Sequence, residues 1–321
     1  MSERLTLRVQ RKRAEAQDIC SFELVEPQAR ALPAFCAGAH LDVHLPGGLV
    51  RQYSLCNSAS ETHRYVIGVL RDPASRGGSR ALCEAVAEGQ LLEVGVPRNH
   101  FGLAEQAAHT VLIAGGIGIT PLLCMADTLA RAGRSFELHY SVRTRARLAF
   151  LDALQALPGR VALHVDDEGP GQRLDLGALL AAYRPGWHVY VCGPGSLIDA
   201  ATDCAARAGW PDGAVHVERF APPCAGVSEP GSDRPFDIEL ARTRKVVHVP
   251  GGMSAVQALA DAGVDVPVSC EQGVCGTCLT TVLAGVVEHR DYFLTSEQRA
   301  AGDSMLPCCS RALSPTLVLD L

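Results

Sequence analysis

Four cysteines near the carboxyl end constrain this chain more than any other feature. Cys270, Cys275 and Cys278 are spaced C-x4-C-x2-C within Ser269-Cys-Glu-Gln-Gly-Val-Cys-Gly-Thr-Cys278, and Cys308 follows at a distance. One loop that supplies three thiolates, closed by a remote cysteine, is the plant-type spacing of a 2Fe-2S cluster. Gly273 and Gly276 suit that role, because a loop that turns its amides toward sulfur needs permissive backbone angles and close approach. The competing readings are a structural zinc site, which usually draws on paired C-x2-C knuckles, and unligated core cysteines.

Thirteen cysteines stand in a chain whose first ten residues alternate charged and apolar side chains. An apolar leader is absent from that stretch, so export is not expected and the thiols are expected to stay reduced in the cytoplasm. The longest uncharged run, Thr110 to Ala126, is interrupted by Gly115, Gly116, Gly118 and Pro121. It is also short for a membrane-spanning helix of about 20 apolar residues, so no membrane span is predicted. A formal charge of -6 with scattered arginines leaves no basic stripe for phosphate backbones, which excludes nucleic acid as a partner.

At 321 residues the chain is long enough for two or three domains of roughly 100 residues each. Its texture changes along the sequence. From Leu5 to about Phe101, short alternating runs such as Ser21-Phe-Glu-Leu-Val25 and His40-Leu-Asp-Val-His-Leu45 lie between Pro and Gly turns, the pattern of a small antiparallel β-barrel. From Thr110 to Phe220, apolar strands at Val111–Ala114, Phe136–Tyr140, Val161–Val165 and Val189–Cys192 alternate with Ala- and Leu-rich helical stretches, the rhythm of a parallel α/β sheet. Ala221 to Pro235 turns to Pro, Gly, Ser and Asp and reads as a linker. The expected domains are therefore residues 1–103, 104–222 and 236–321, with a linker at 223–235.

Two further motifs carry chemistry. Arg51-Gln-Tyr-Ser-Leu55 is an R-x-Y-S sequence, and Ser75-Arg-Gly-Gly-Ser79 precedes a helical run expected over Arg80 to Ala87. A flavin requires an aromatic for its ring, donors for its N5 and pyrimidine edge, and a helix start with a cation for its phosphate. Tyr53 can stack, Ser54 can donate near N5, Arg51 can bind phosphate, and Arg76, Gly77, Gly78 and Ser79 complete the cradle. The plainer alternative makes Tyr53 a core aromatic and Ser79 an ordinary helix N-cap. Downstream, Thr110-Val-Leu-Ile-Ala-Gly-Gly-Ile-Gly-Ile-Thr-Pro121 runs from a strand into a glycine loop and a helix beginning near Pro121. That places Gly115, Gly116, Gly118, Thr120 and Pro121 where open α/β sheets bind pyrophosphate, although the G-x-G-x-x-G order is lacking. A second loop, Tyr190-Val-Cys-Gly-Pro-Gly195, ends another strand and would turn Cys192, Gly193 and Pro194 toward a nicotinamide.

The last segment resembles a plant-type ferredoxin domain of the β-grasp α+β class, with Phe236–Pro250 as first hairpin, Ser254–Ala262 as helix and Leu317–Leu321 as last strand. The resemblance assigns Cys308 as fourth ligand and leaves neighbouring Cys309 to packing. R-x-Y-S, G-G-I-G-I-T-P and C-G-P in that order resemble the ferredoxin-NADP reductase superfamily. With the C-terminal cluster domain, the whole chain is similar to the phthalate dioxygenase reductase family, which includes vanillate O-demethylase reductases. The resemblance implies FMN, NADH and a 2Fe-2S cluster as cofactors. It implies an NADH-dependent reductase that feeds a separate terminal Rieske oxygenase of aromatic catabolism, docking transiently around Glu271–Gly276. His216-Val-Glu-Arg-Phe220 also fits, placing Glu218 and Phe220 near the flavin, with Ser54, Cys192 and Glu218 as the reactive trio. Arg143 and Arg145, after the second strand of the nucleotide segment, leave a 2'-phosphate of NADPH in play. The alternative functions are a reductase for another acceptor, such as a cytochrome, a ferredoxin or a carnitine-type Rieske monooxygenase, and a redox sensor.

Overall fold

The computed structural model describes residues 4–45, 49–72, 77–221 and 233–321. Two compact units divide it, Met1–Arg219 and Phe220–Leu321. Among the described residues no helix is long and apolar enough to cross a membrane.

The first unit begins with antiparallel strands β1 (Arg4–Ala16), β2 (Ile19–Val25), β3 (Ala39–Leu45), β4 (Leu49–Ser54) and β5 (Tyr65–Leu70), helix α1 (Gly78–Ala85), and strands β6 (Leu91–Gly95) and β7 (Arg98–Asn99). Their order is β4-β3-β6-β1-β2-β5, with β7 added beside β3. An antiparallel bridge from Leu55 to Ile67 joins the two ends, so the sheet closes into a barrel and leaves no long free edge. Alternation does the rest. Leu7, Val9, Phe22, Leu24, Leu41, Val43, Ile67 and Val69 point inward with essentially no exposure.

The α/β half of this unit comprises β8 (His109–Gly115), α2 (Ile119–Arg131), β9 (Phe136–Val142), α3 (Leu151–Gln155), β10 (Arg160–Val165), α4 (Leu176–Leu179), β11 (Trp187–Cys192), α5 (Gly195–Arg207) and β12 (Val215–Glu218). The five strands are all parallel, in the order β10-β9-β8-β11-β12. Leu112, Leu138, Tyr140 and Tyr190 on one face belong to the same apolar core as the barrel. Val111, Ile113, Val189 and Val191 on the other pack with Ile198 and Ala201 of α5. This shared core makes barrel and sheet one body. Tyr190 also pins the connector, its hydroxyl donating to Gly102 O at 3.1 Å and accepting from Ala104 N at 2.7 Å.

Two imidazole pairs are set into this sheet. His139 and His164 stack at 5.3 Å, and His188 and His216 stack at 5.2 Å with Tyr190 against His216 at 4.3 Å. Burial holds all four below the ordinary histidine value, His216 down to about 4.

The second unit contains β13 (Phe236–Leu240), β14 (Val246–Val249), α6 (Ala255–Asp261), β15 (Thr280–Ala284), β16 (Val287–Glu288), α7 (Ser296–Ala301), β17 (Ser304–Met305), β18 (Arg311–Ala312) and β19 (Thr316–Leu319). Its main sheet runs β14-β13-β19-β15-β17, with β13 and β19 parallel and the other pairs antiparallel, the β-grasp arrangement. Ser254 caps α6, its side chain accepting from Gln257 N, and Thr295 and Gln298 form a reciprocal capping box on α7. Arg311, 4% exposed, donates to the carbonyls of Met253, Pro250 and Arg234, so its buried charge is hydrogen-bonded.

The structure corrects several local expectations. Helix α1 spans Gly78–Ala85 rather than Arg80–Ala87, because Gly77 adopts a left-handed conformation (φ 93°) that starts the helix early and Val86 is extended. Ser79 is not its N-cap; Gly77 is, with no side-chain cap bond. Helix α2 begins at Ile119, following a 3-10 turn over Gly116–Gly118, because Gly116 (φ 54°) reverses the chain as soon as β8 ends. A fifth parallel strand, β12, occupies the stretch containing His216 and Glu218. Arg76 and most of the expected linker lie outside the described residues.

Candidate functional site

The carboxyl ends of β8, β11 and β12 lie side by side, where open α/β sheets bind ligands. Gly115 ends β8, Cys192 ends β11 and Glu218 ends β12, with Cys192 and Glu218 paired in register. The two glycine loops touch backbone to backbone. A Cβ on Gly118 would overlap the Cys192 carbonyl, and one on Gly193 would stand 2.9 Å from Gly115 Cα. Pro194 and Leu197 close on Gly115, at 2.7 and 2.6 Å from where its Cβ would be. Thr120 is buried, with its hydroxyl donating to Ile117 O at 3.0 Å. Pro121 is buried beside it in the first turn of α2.

Strand β4 of the barrel carries Arg51, Tyr53 and Ser54 to this same junction. Ser54 Oγ donates to Glu218 Oε2 at 3.4 Å, which ties barrel to nucleotide sheet across 164 residues of sequence. Burial pushes the Glu218 carboxyl up to about 8, against the lowering effect of the Ser54 bond. Burial, and after it the Glu218 carboxyl, likewise holds the Cys192 thiol well above its usual value, so it acts as a small apolar wall rather than a nucleophile. Ser54, Cys192 and Glu218 are thus brought together. Phe220 is the first residue of the second unit, and its ring is 42% exposed.

Strand β4 and the start of α1 bring an arginine to a run of backbone amides. The Arg51 side chain passes over the helix start, its Cγ 2.7 Å from where a Cβ on Gly78 would stand. With Gly77 as N-cap and no side chain spent on capping, the first-turn amides are left for an anion. Ser79 Oγ accepts from Asp72 N at 3.3 Å. These donors fit the phosphate end of a flavin mononucleotide. Gly68 of β5, which sequence reasoning passed over, lets the barrel approach the α/β half closely: a Cβ there would lie 2.6 Å from Thr120 Cγ2 and 2.9 Å from the Phe150 ring. At the far end of the sheet, Arg145 is engaged by Glu168 in a bidentate pair of 2.5 and 2.9 Å.

In the second unit the cysteine loop is built from inverted backbone. Glu271, Gly273 and Gly276 have φ of 54°, 73° and 70°. The two glycines are sterically required, since a Cβ at Gly276 would strike the Phe293 ring and one at Gly273 would lie 2.5 Å from Cys309 Sγ. The inverted loop aims amides at sulfur: Gln272 N lies 3.3 Å from Cys270 Sγ and Thr277 N 3.5 Å from Cys275 Sγ. The thiols face one another in two pairs. Contact with Cys275 raises Cys270 and the same contact lowers Cys275, as two thiols sharing one proton do. Cys308 faces Cys278, whose thiol is the main cause of its rise to about 12, and it also meets the Gly273 amide. Cys309 lies over Gly273 with Leu306 O at 3.7 Å, and its thiol also contacts Cys308. Cys270, Cys275, Cys278 and Cys308 under directed amides fit a two-iron cluster, which they would hold through their thiolates. Among the described residues no three His, Cys, Asp or Glu side chains converge as a single-ion site requires.

Beneath the loop, Asp291 was not foreseen. It is fully buried and accepts from Phe293 N at 3.2 Å, Leu294 N at 2.8 Å and Ser310 Oγ at 3.4 Å, with Arg299 at 3.7 Å. Its signal in the sequence is faint: it is one of four acidic residues between Cys278 and Cys308, in His289-Arg-Asp-Tyr-Phe293.

The chain is similar to known proteins over nearly its whole length. Residues 238–313 match the family described as 2Fe-2S iron-sulfur cluster binding domain, and residues 96–215 match dimethylamine monooxygenase subunit DmmA-like, N-terminal domain. A vanillate O-demethylase oxidoreductase of Pseudomonas sp. is 48% identical over 96% of this chain and 97% of its own length. The phthalate dioxygenase reductase of Burkholderia cepacia is 42% identical over 99% and 97%. The chain belongs to the phthalate dioxygenase reductase family. Membership makes it an oxidoreductase, a reductase component of oxygenase systems. A solved phthalate dioxygenase reductase, described as a modular structure for electron transfer from pyridine nucleotides to [2Fe-2S], matches with a TM-score of 0.72 and 41% identity over 99% of this chain and 98% of that one. An intact type IV self-sufficient cytochrome P450 monooxygenase contains a similar module, TM-score 0.90 and 40% identity, covering 99% of this chain and 41% of that longer one.

Proposed function

We propose that this reductase oxidises NADH at the junction of Ser54, Cys192 and Glu218 and delivers electrons singly to the Rieske centre of a separate oxygenase acting on an aromatic acid, vanillate-like or phthalate-like. The Ser54 to Glu218 hydrogen bond carries this reading, because it joins the flavin cradle and the nucleotide loops at one enclosed point. In this reading Arg51 and the amides of Gly77 and Gly78 hold the FMN phosphate, Arg76 assists them, Tyr53 covers the ring and Ser54 donates toward N5. Gly115, Gly116, Gly118, Thr120 and Pro121 receive the NADH pyrophosphate. Cys192, Gly193 and Pro194 back the nicotinamide, with Glu218 at its edge. The bound flavin supplies the conversion between a two-electron hydride and single electrons. Cys270, Cys275, Cys278 and Cys308 hold the cluster, and the surface around Glu271–Gly276 meets the oxygenase transiently.

The bidentate engagement of Arg145 by Glu168 supports NADH over NADPH, since a paired guanidinium is a poor receiver for a 2'-phosphate. Energetics support the direction of flow: plant-type clusters lie near roughly -400 mV and Rieske centres between about -150 and +300 mV. The oxygenase substrate never touches this chain, so aromatic chemistry enters through the relatives' names alone.

The test is the anaerobic visible spectrum of purified protein before and after NADH, followed by turnover with a purified Rieske O-demethylase. Flavin and iron-sulfur absorbance should both bleach, and Ser54→Ala should slow flavin reduction by about 3- to 10-fold, the worth of one hydrogen bond. Bleaching of flavin without any iron or sulfide in fresh protein would overturn the cluster assignment.

A further inference from the structure

Two thiols that the electron path does not use face each other behind the flavin cradle. Cys20 on β2 and Cys83 in the second turn of α1 stand with their sulfurs 3.5 Å apart, and both side chains are half-buried. The surroundings tie this pair to the cradle. Lys12 Nζ donates to the carbonyls of Cys83 and Val86 at 2.7 and 2.8 Å, fastening the end of α1 to β1. The Cys83 thiol also lies close enough to act on the Tyr53 hydroxyl. The other end of the same helix meets the Arg51 side chain at Gly78. Anything that fixes Cys83 therefore fixes the helix whose first turn holds the phosphate.

A disulfide needs a sulfur separation of about 2.05 Å, and these two sulfurs already stand 3.5 Å apart. In a reducing compartment such bonds are usually transient and regulatory rather than structural. We propose that Cys20 and Cys83 are a reversible disulfide switch, closed by a small-molecule disulfide of the glutathione class, which locks α1 to β2 and slows loss of the flavin. The chemistry is two thiol–disulfide exchanges. One protein thiol, as thiolate, attacks the small disulfide, forming a mixed disulfide and expelling one small thiol. The second protein thiol then attacks the mixed disulfide, forming the Cys20–Cys83 bond and expelling the other small thiol. The protein pair is oxidised by two electrons, the small disulfide is reduced to two thiols, and the two protein protons pass to them. Burial and the neighbouring Cys20 push the Cys83 thiol up to about 12, so closure is slow near neutrality and quickens with rising pH.

The consequence for flavin rests on the reading of Arg51 and α1 as its phosphate site, and the experiment separates the two claims. Holoenzyme is incubated anaerobically with oxidised glutathione, then analysed by non-reducing peptide mapping, and flavin release is followed by the gain of free-flavin fluorescence on dilution. The expected result is a peptide linking Cys20 to Cys83, lost on adding dithiothreitol, together with flavin release slowed by about threefold or more, because a cross-link removes locally opened states. Cys20→Ser and Cys83→Ser should show neither change while keeping NADH turnover in the reduced state. Separate glutathione adducts on the two cysteines, or thiols that remain free, would overturn the switch. A mapped disulfide with unaltered flavin release would overturn its locking role. Arg51→Ala judges the phosphate site by itself: it should speed flavin release in both redox states, and if it does not, that site is wrong whatever the peptide map shows.

Discussion

Two enclosed carboxylates, one in each unit, are provided for very differently. Asp291, under the cluster loop, is surrounded by donors: the amides of Phe293 and Leu294, the Ser310 hydroxyl and the Arg299 guanidinium. Glu218, at the nucleotide junction, has the Ser54 hydroxyl at 3.4 Å and is pushed up to about 8 by burial. A saturated carboxylate is an anchor, since its charge is already balanced and moving it loses several bonds at once. A carboxylate kept short of donors stays responsive to whatever arrives beside it. The cluster region is therefore organised for rigidity, and the hydride-transfer region for exchange with a ligand that comes and goes.

The strongest separation of the two regions is functional. Cys275→Ser should abolish delivery to an oxygenase by more than about 100-fold, beyond the cost of losing a supporting contact. NADH oxidation by ferricyanide, which draws on the first unit, should persist. Equal loss of both activities would erase the distinction. Next in size, Asp291→Ala should lower unfolding stability by about 3 kcal/mol, because it strands several donors in the interior, and should hasten cluster release. Thermal unfolding of holoprotein with cluster absorbance as the signal reads both.

Glu218→Gln should act oppositely on stability. The folded carboxyl holds its proton to about 8 while the unfolded one gives it up near 4.5, so wild-type stability falls relative to the glutamine variant as pH rises through that window and levels off above it. The variant should therefore unfold at higher temperature at neutral pH, yet reduce flavin about tenfold more slowly, equivalent to about 1.4 kcal/mol in the barrier. It should also lose any limb near pH 8 in the rate profile. A variant both slower and less stable would make Glu218 another anchor. The smallest effect belongs to Glu168→Gln, which frees Arg145. NADPH use should rise by at most about fivefold, as expected of an exposed pair, with kcat/KM for each nucleotide as the readout.

Legibility in the sequence followed range. The cysteine loop could be read from spacing because all its constraints, three thiols and two glycines, fall within Cys270–Cys278. Strand and helix rhythm gave the barrel and the parallel sheet for the same reason, since periodicity is local, whereas the β-grasp domain was reached through its resemblance to plant-type ferredoxin domains. Tertiary partners were less visible. That Ser54 meets Glu218, that Glu168 occupies Arg145, and that Asp291 underlies Gly273 each depend on closures far apart in sequence. The helix ends missed by two residues at α1 and at α2 turned on single left-handed glycines, Gly77 and Gly116, whose backbone angles no pattern of apolar residues reveals.

The paired imidazoles of the parallel sheet carry a liability of their own. His139, His164, His188 and His216 are held neutral by burial, whereas in an unfolded chain each takes a proton near 6.5. Acidification below that value draws the protein toward the form that can accept those charges, and the pull deepens until even His216 yields near 4. His40 of the barrel, also held down to about 4 by burial, adds to the same pull, so in an acidifying medium the whole first unit, barrel and sheet on their shared core, is drawn toward unfolding.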